Sequence, residues 1–231
     1  MDEPAITSEG RRKELFEVAI FLLLIVPSMI ISYLAFGEAK FGFSFLAISV
    51  ILRDIALTCL VVFFLWRDGE PLARLGWKFT RLKQEAALGV ALFLPILFGE
   101  TIIQKVFEWF GLTSNLSRVA QLLIPKGPFE IFLACILVTV VAVAEETIFR
   151  GYLMLRFNNL TGSIAAAVLI SSVVFSIGHG YEGAANLGTV GILGVILALI
   201  YVWRKSLVAP VVLHFLIDFV PLVLLPLSRI K

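Results

Sequence analysis

The sequence predicts an all-α fold, a polytopic transmembrane helical bundle of about seven spans, and three observations carry that expectation. Of 231 residues, 60% are hydrophobic and only 16% are charged, with a mean hydropathy of +1.00; a soluble domain carries about a quarter charged residues. Apolar runs approaching the roughly 20 residues that cross hydrocarbon as a helix recur along the chain. The basic residues fall in the connections between those runs rather than in one block, and the net charge is only +2, so nothing suggests a nucleic-acid partner.

In chain order the spans are expected at about 15–36, 44–66, 86–110, 129–157, 163–179, 186–203 and 207–227. An eighth requires that one of these be split. The first run follows Arg11-Arg12-Lys13; it is too long for a signal-peptide core and reads as a retained span. Residues 67–83 alternate charges with Gly69, Pro71 and Gly76 and read as a solvated connector with a short surface helix ending at Trp77. Residues 111–128, containing Asn115-Leu116-Ser117-Arg118 and Pro125-Lys126-Gly127-Pro128, read as a lid or a linker. Gly183, Gly188, Gly191 and Gly194 give the sixth span the small-residue spacing of a tightly packed helix. Cys59 and Cys135 lie in apolar runs and imply no disulfide framework. No repeat or low-complexity tract divides the chain, so residues 1–231 read as a single transmembrane domain.

Orientation follows from the basic residues. Arg11, Arg12, Lys13, Arg67, Arg74, Lys78, Arg81, Lys83, Arg150, Arg156, Arg204 and Lys205 fall on one side, and Lys40, Arg118, Lys126, Arg229 and Lys231 on the other. The positive-inside rule then places the N-terminus in the cytoplasm and the C-terminus outside. An integral protein of the plasma membrane is the expected setting.

The chemistry concentrates where hydrocarbon makes it costly. Glu145-Glu146 and Arg150 follow the apolar run from Ile131 to Ala144, and ionisable groups inside a membrane mark function by default. On a helix Glu146 and Arg150 share a face, whereas Glu145 points about 100° away. Glu146 is therefore expected to pair with Arg150, leaving Glu145 to face the bundle. The chain has two histidines, His179 and His214, both in apolar surroundings, with Asp218 one turn after His214. A lone buried histidine is ordinarily structural; two of them with Glu145, Glu146 and Asp218 on neighbouring helices read as one polar pocket. Arg53-Asp54 and Glu100 with Gln104 read as a buried ion-pair network, and Lys105 with Glu108 as a local i,i+3 pair.

Taken in order, Glu145-Glu146-x-x-x-Arg150, Phe175-x-x-x-His179 and His214-x-x-x-Asp218 resemble the three-motif pattern of the CPBP family, the CAAX prenyl endopeptidases and their bacteriocin-processing or self-immunity relatives. The resemblance covers about residues 129–222. It implies a glutamate-dependent intramembrane endopeptidase in which Glu145 is the general base, His179 its partner, and His214 and Asp218 hold the oxyanion, with Glu146, Arg150 and Phe175 completing the motifs. Asparagine stands at the Asp218 position in the CAAX enzymes. An ionised Asp218 cannot donate a hydrogen bond, so it must act protonated or hold His214 as the donor.

The same side chains admit other readings. Glu145, His179, His214 and Asp218 are also ligand types that zinc accepts, although the resemblance points to metal-free catalysis and no cofactor is expected. The expected partners are the bilayer and a hydrophobic or lipid-modified peptide or protein substrate. A non-catalytic immunity or scaffold protein of the same fold is the alternative, opposed by the full set of polar residues. A proton-coupled transporter ranks behind it, because no inverted halves or paired broken helices are visible.

Overall fold

A computed structural model describes residues 8–35 and 42–228. Lys40, Arg229, Lys231 and the end of the first expected span at residue 36 lie outside those residues, as does the side chain of Arg118. The described residues form helices α1 (Ser8–Ala35), α2 (Phe43–Arg67), α3 (Leu82–Trp109), α4 (Leu116–Leu123), α5 (Pro128–Glu145), α6 (Met154–Thr161), α7 (Ile164–Ile177), α8 (Ala184–Arg204), α9 (Val208–Phe219) and α10 (Leu225–Leu227). Helices α5 and α6 are joined by a continuous π-helical segment, Glu146–Leu153, and α9 and α10 by a second one, Val220–Leu224.

Six of these stretches are long and apolar enough to cross a bilayer, including the 34-residue run Pro128–Thr161. The expected span at 163–179 is shorter than anticipated. Helix α7 has 14 residues, about 21 Å at 1.5 Å per residue, against a hydrocarbon core of about 30 Å. Its limits are local. Gly162 ends α6 in the left-handed region at φ 68°, the Ser163 side chain then caps α7 by accepting from the Ala166 N–H, and the chain leaves α7 through Gly178 into a 3₁₀ turn at Gly180–Glu182.

The connections rich in basic residues meet at one end of the bundle. There the Leu207 N–H donates to the Gly76 carbonyl (3.0 Å), Arg204 clasps Glu85, Arg156 reaches Glu70 (3.0 Å), and Lys13 pairs with Asp68. At the other end the Asn115 N–H donates to the Glu182 carbonyl (2.7 Å), the Ala185 N–H to that of Thr113 (2.9 Å), and the Ser44 hydroxyl to Glu130 (3.0 Å). Helix α1 starts at the basic end, whereas α9 starts there and runs away from it, so Ser8 and Leu227 lie at opposite ends.

The principal packings are α3 on α9, α2 on α5, and α7 on α8. Small residues set how close they come. A Cβ on Gly89 of α3 would lie 2.8 Å from the Ala209 carbonyl of α9, and one on Gly188 of α8 would lie 2.7 Å from the Phe107 ring of α3. The glycines of α8 thus serve close packing, as their spacing implies. The expected surface helix near Trp77 is a 3₁₀ turn at Leu72–Leu75, closed by Gly76 at φ 94°, where a side chain would meet Tyr201 at 2.6 Å. The segment read as lid or linker contains α4, strapped to the turn after α7 through Thr113 and Asn115. Glu108 accepts from Gln104 (2.9 Å) instead of pairing with Lys105, because the i,i+4 amide reaches it first.

Candidate active site

The long α5–α6 run changes its winding at the acidic pair. From Glu146 to Leu153 the backbone is π-helical and all eight residues are buried; such insertions are rare and recur at functional sites. A widened turn leaves backbone groups to be satisfied from outside the helix. The Ser171 hydroxyl of α7 donates to the Phe149 carbonyl (2.7 Å), and Thr147 donates to that of Val143 (2.6 Å). The Trp77 indole N–H donates in turn to the Thr147 hydroxyl (3.2 Å). The connector between α2 and α3, read from sequence as interface dressing, therefore docks on the segment that carries the glutamates.

Arg150 is 1% exposed and Glu146 is 0% exposed. Arg150 Nη1 lies 2.8 Å from Glu146 Oε1, Nη2 donates to the Gly194 carbonyl (3.3 Å), and the guanidinium sits 4.2 Å from the centroid of the Phe175 ring. Gly194 permits that approach, since a Cβ there would lie 3.1 Å from Ser172 and 3.3 Å from Phe175. Phe175 is the hub of the site. Its ring lies 5.0 Å from that of His179 and 6.0 Å from that of His214, the latter edge-on.

His214 joins the carboxylates. Its Nδ1 is 2.8 Å from Glu146 Oε1, and its Nε2 is 3.8 Å from Glu145 Oε2 and 3.5 Å from Asp218 Oδ2. Both glutamates therefore face His214. Glu146 is fixed by Arg150 as its spacing implies, but the same oxygen also takes His214, while Glu145 approaches His214 from the other side at more than hydrogen-bond distance.

His179 sits apart from this cluster. Its Nδ1 donates to the Phe175 carbonyl (3.2 Å), and its ring stacks on Tyr181 at 6.5 Å. Since a carbonyl only accepts, Nδ1 is the donor, and in the neutral ring Nε2 keeps its lone pair. Among the described residues His179 makes no ion pair with Glu145 or Asp218, and no group of three or more histidine, cysteine or acidic side chains is gathered tightly enough to hold a metal ion.

Three further elements contribute charge that the motifs do not contain. Arg53 and Asp54 of α2 form an ion pair (2.8 Å), as the sequence suggests, and both lie within electrostatic reach of Glu145. Glu100 of α3 is within electrostatic reach of His214 and Asp218 but forms no ion pair among the described residues, so the expected network of Glu100 and Gln104 does not form there. Gln104 instead takes the Thr189 hydroxyl (3.0 Å). Beyond α7, Glu182 accepts from Asn186, and burial raises its carboxyl above the ordinary value, with His179 acting to lower it. The adjacency of Tyr181 and Glu182 to His179 was the available signal for these two residues.

Two buried oxygens at the centre, Glu145 Oε2 and Glu146 Oε2, have no hydrogen-bond partner among the described residues, and neither has Asp54 Oδ2. Orphaned buried carboxylate oxygens are costly unless water or substrate meets them. An apolar cavity of about 550 Å³ opens beside them between α2 and α5; Val143 and Ala144, immediately before Glu145, belong to its wall.

Neither the curated proteins nor the solved structures offer a match. A family model does match, described as type II CAAX prenyl endopeptidase Rce1-like, over residues 127–220. That range includes Glu145, Glu146, Arg150, Phe175, His179, His214 and Asp218, every candidate residue of the three motifs. The segment that builds this site is thus similar to the Rce1-like type II CAAX prenyl endopeptidases.

Proposed function

We propose that the protein is a glutamate-dependent intramembrane endopeptidase that hydrolyses a peptide bond in a hydrophobic, lipid-modified or membrane-associated substrate. The observation that carries the reading is the facing of Glu145 and His214 across the bundle, with Asp218 beside them and an apolar cavity whose wall includes Ala144, next to the glutamate in sequence.

Amide hydrolysis needs a positioned water, a base for its proton and donors at the oxygen where charge develops. Glu145, whose inner oxygen is unpartnered, takes the proton of a water held between it and the free Nε2 of His179. The hydroxide attacks the scissile carbonyl carbon, and the proton passes to the leaving amine as the C–N bond breaks. His214 bears a carboxylate on Nδ1 and two near Nε2, an arrangement suited to a ring that donates from both nitrogens. Its Nε2–H, oriented by Asp218, then supports the oxyanion. Arg150 acts through Glu146, which it holds against Nδ1. No step requires a metal.

The basic end of the bundle is assigned to the cytoplasm under the positive-inside rule, with the chain in the plasma membrane. The experiment is cleavage of a quenched, prenylated-cysteine peptide by the purified protein in proteoliposomes. Cleavage that survives exhaustive chelation and disappears in Glu145→Gln is expected. Activity lost to chelator and restored by zinc overturns the metal-free step in favour of metal ligation. Cleavage that persists in Glu145→Gln removes the glutamate from the chemistry.

A further inference from the structure

At the basic end a second, polar cavity of about 270 Å³ lies between the α2–α3 connector and the α8–α9 turn, lined by Lys78, Thr80, Arg81, Glu85, Arg204, Lys205 and Ser206. From its charge and shape we infer that it is a binding site for a phosphate group, as carried by the headgroup of an anionic phospholipid. Such a site serves independently of the proposed peptidase activity.

The cavity's internal charges are divided unequally. Glu85, 3% exposed, is clasped by Arg204 through Nη2 (2.7 Å) and Nε (3.2 Å to each oxygen). That pair consumes the cavity's only carboxylate and braces α3 against α8. Lys78, Arg81 and Lys205 remain, all exposed and none with a side-chain ion pair or hydrogen bond among the described residues. Three like charges around one small concavity repel one another and favour an anion between them.

The backbone adds a second, separate attraction. Two helices begin at this cavity, α3 at Leu82 and α9 at Val208, and each presents the positive end of its dipole there. Arg81, the residue before α3, gives that helix no side-chain cap. On α9 the buried Ser206 hydroxyl accepts from the Val208 N–H (3.3 Å), and its own proton has no acceptor among the described residues. A phosphate oxygen satisfies the capping deficit, the hydroxyl and the cations together.

Position favours a lipid as the source. Trp203 (65% exposed) and Phe79 (63% exposed) flank the cavity in sequence, and aromatic residues of this kind sit at headgroup level. Basic pockets between helices on the cytoplasmic side are suited to anionic headgroups.

The test uses the full chain in detergent and reads the thermal midpoint during titration with short-chain phosphatidylglycerol, short-chain phosphatidylcholine or inorganic phosphate. Phosphatidylglycerol is expected to raise the midpoint by several degrees with saturation, and phosphatidylcholine is not. The triple variant Lys78→Gln, Arg81→Gln, Lys205→Gln should keep the unliganded midpoint, because none of the three has a partner, while its apparent affinity falls at least about tenfold. Arg12→Gln with Lys83→Gln, which removes basic-end charge outside the cavity lining, should leave the titration unchanged. An equal response to inorganic phosphate assigns the site to the free anion and overturns the lipid source. No response to either phosphate probe, or an equal loss in the control variant, overturns the site itself.

Discussion

Glu146 carries more than its neighbours in sequence suggest. One oxygen holds both Arg150 and His214 at 2.8 Å, so its removal strands a buried guanidinium and releases the imidazole together. Glu146→Gln is expected to cost about 3 to 5 kcal/mol, the loss seen when a buried pair is broken from one side. Adding Arg150→Met should recover part of that loss, since neither charge then remains. Detergent melting of the single and double variants checks this; a double variant no more stable than Glu146→Gln alone contradicts it. The i,i+4 pairing of these two residues was legible because a helix brings that spacing onto one face. The contact with His214 was not, since it depends on how α9 meets α5 and on a turn that winds wider than 3.6 residues.

At the scale of elements, composition located the helices and local stop signals located their ends. Gly162-Ser163 between α6 and α7 and Gly127-Pro128 before α5 act as punctuation that needs no tertiary context. The π-helical segment has no such signature, because Glu146 to Leu153 contains no proline or cap to mark the change; it is supported by Ser171 and, through Thr147, by Trp77, both of which lie elsewhere in the chain. The shortness of α7 was hidden for a related reason, since the apolar run continues to Ile177 and Gly178 while the backbone tightens for the turn that follows. The glycines of α8 make the clearest prediction here. Gly188→Val introduces a Cβ 2.7 Å from the Phe107 ring, and the overpacking should destabilise the protein by about 1 to 3 kcal/mol. Gly99→Val, where a Cβ meets nothing within 4 Å, is the control in the same melting experiment and should change stability far less. Equal losses would mean that α3 and α8 do not meet as described.

Across the whole molecule, the two ends of the bundle are held differently. The basic end is a lattice of ion pairs in which Arg156, fully buried, reaches Glu14, Glu17, Asp68 and Glu70, and Arg67 and Lys13 also meet Asp68. The end near Glu182 is tied by backbone and side-chain hydrogen bonds, among them those of Asn115, Ala185, Ser44 and Gln104. The Asp68 carboxyl shows the consequence. Burial alone raises its pKa, but hydrogen bonds from Arg67 and Lys13 outweigh that and hold it down at about 2. A carboxyl depressed on folding contributes stability that is complete above its unfolded pKa, about 3.9, and is lost as pH falls through the folded value. The melting midpoint of wild type should therefore drop between about pH 4 and 2 by more than that of Asp68→Asn; parallel curves contradict the assignment. The basic-residue pattern made one shared end legible from sequence, while the carboxylates that answer it, scattered from Glu14 to Glu70, become a lattice only through the fold.

The central claim is that Glu145 cuts a peptide bond within the membrane. Its most direct test is the peptide and N-terminal profile of membranes from cells carrying wild-type protein or Glu145→Gln at equal abundance, with the variant shown by melting to be folded. A precursor that accumulates uncut in the variant, with its product present only in the wild type, is the predicted result. Indistinguishable profiles would contradict the claim and favour the non-catalytic reading of the same fold.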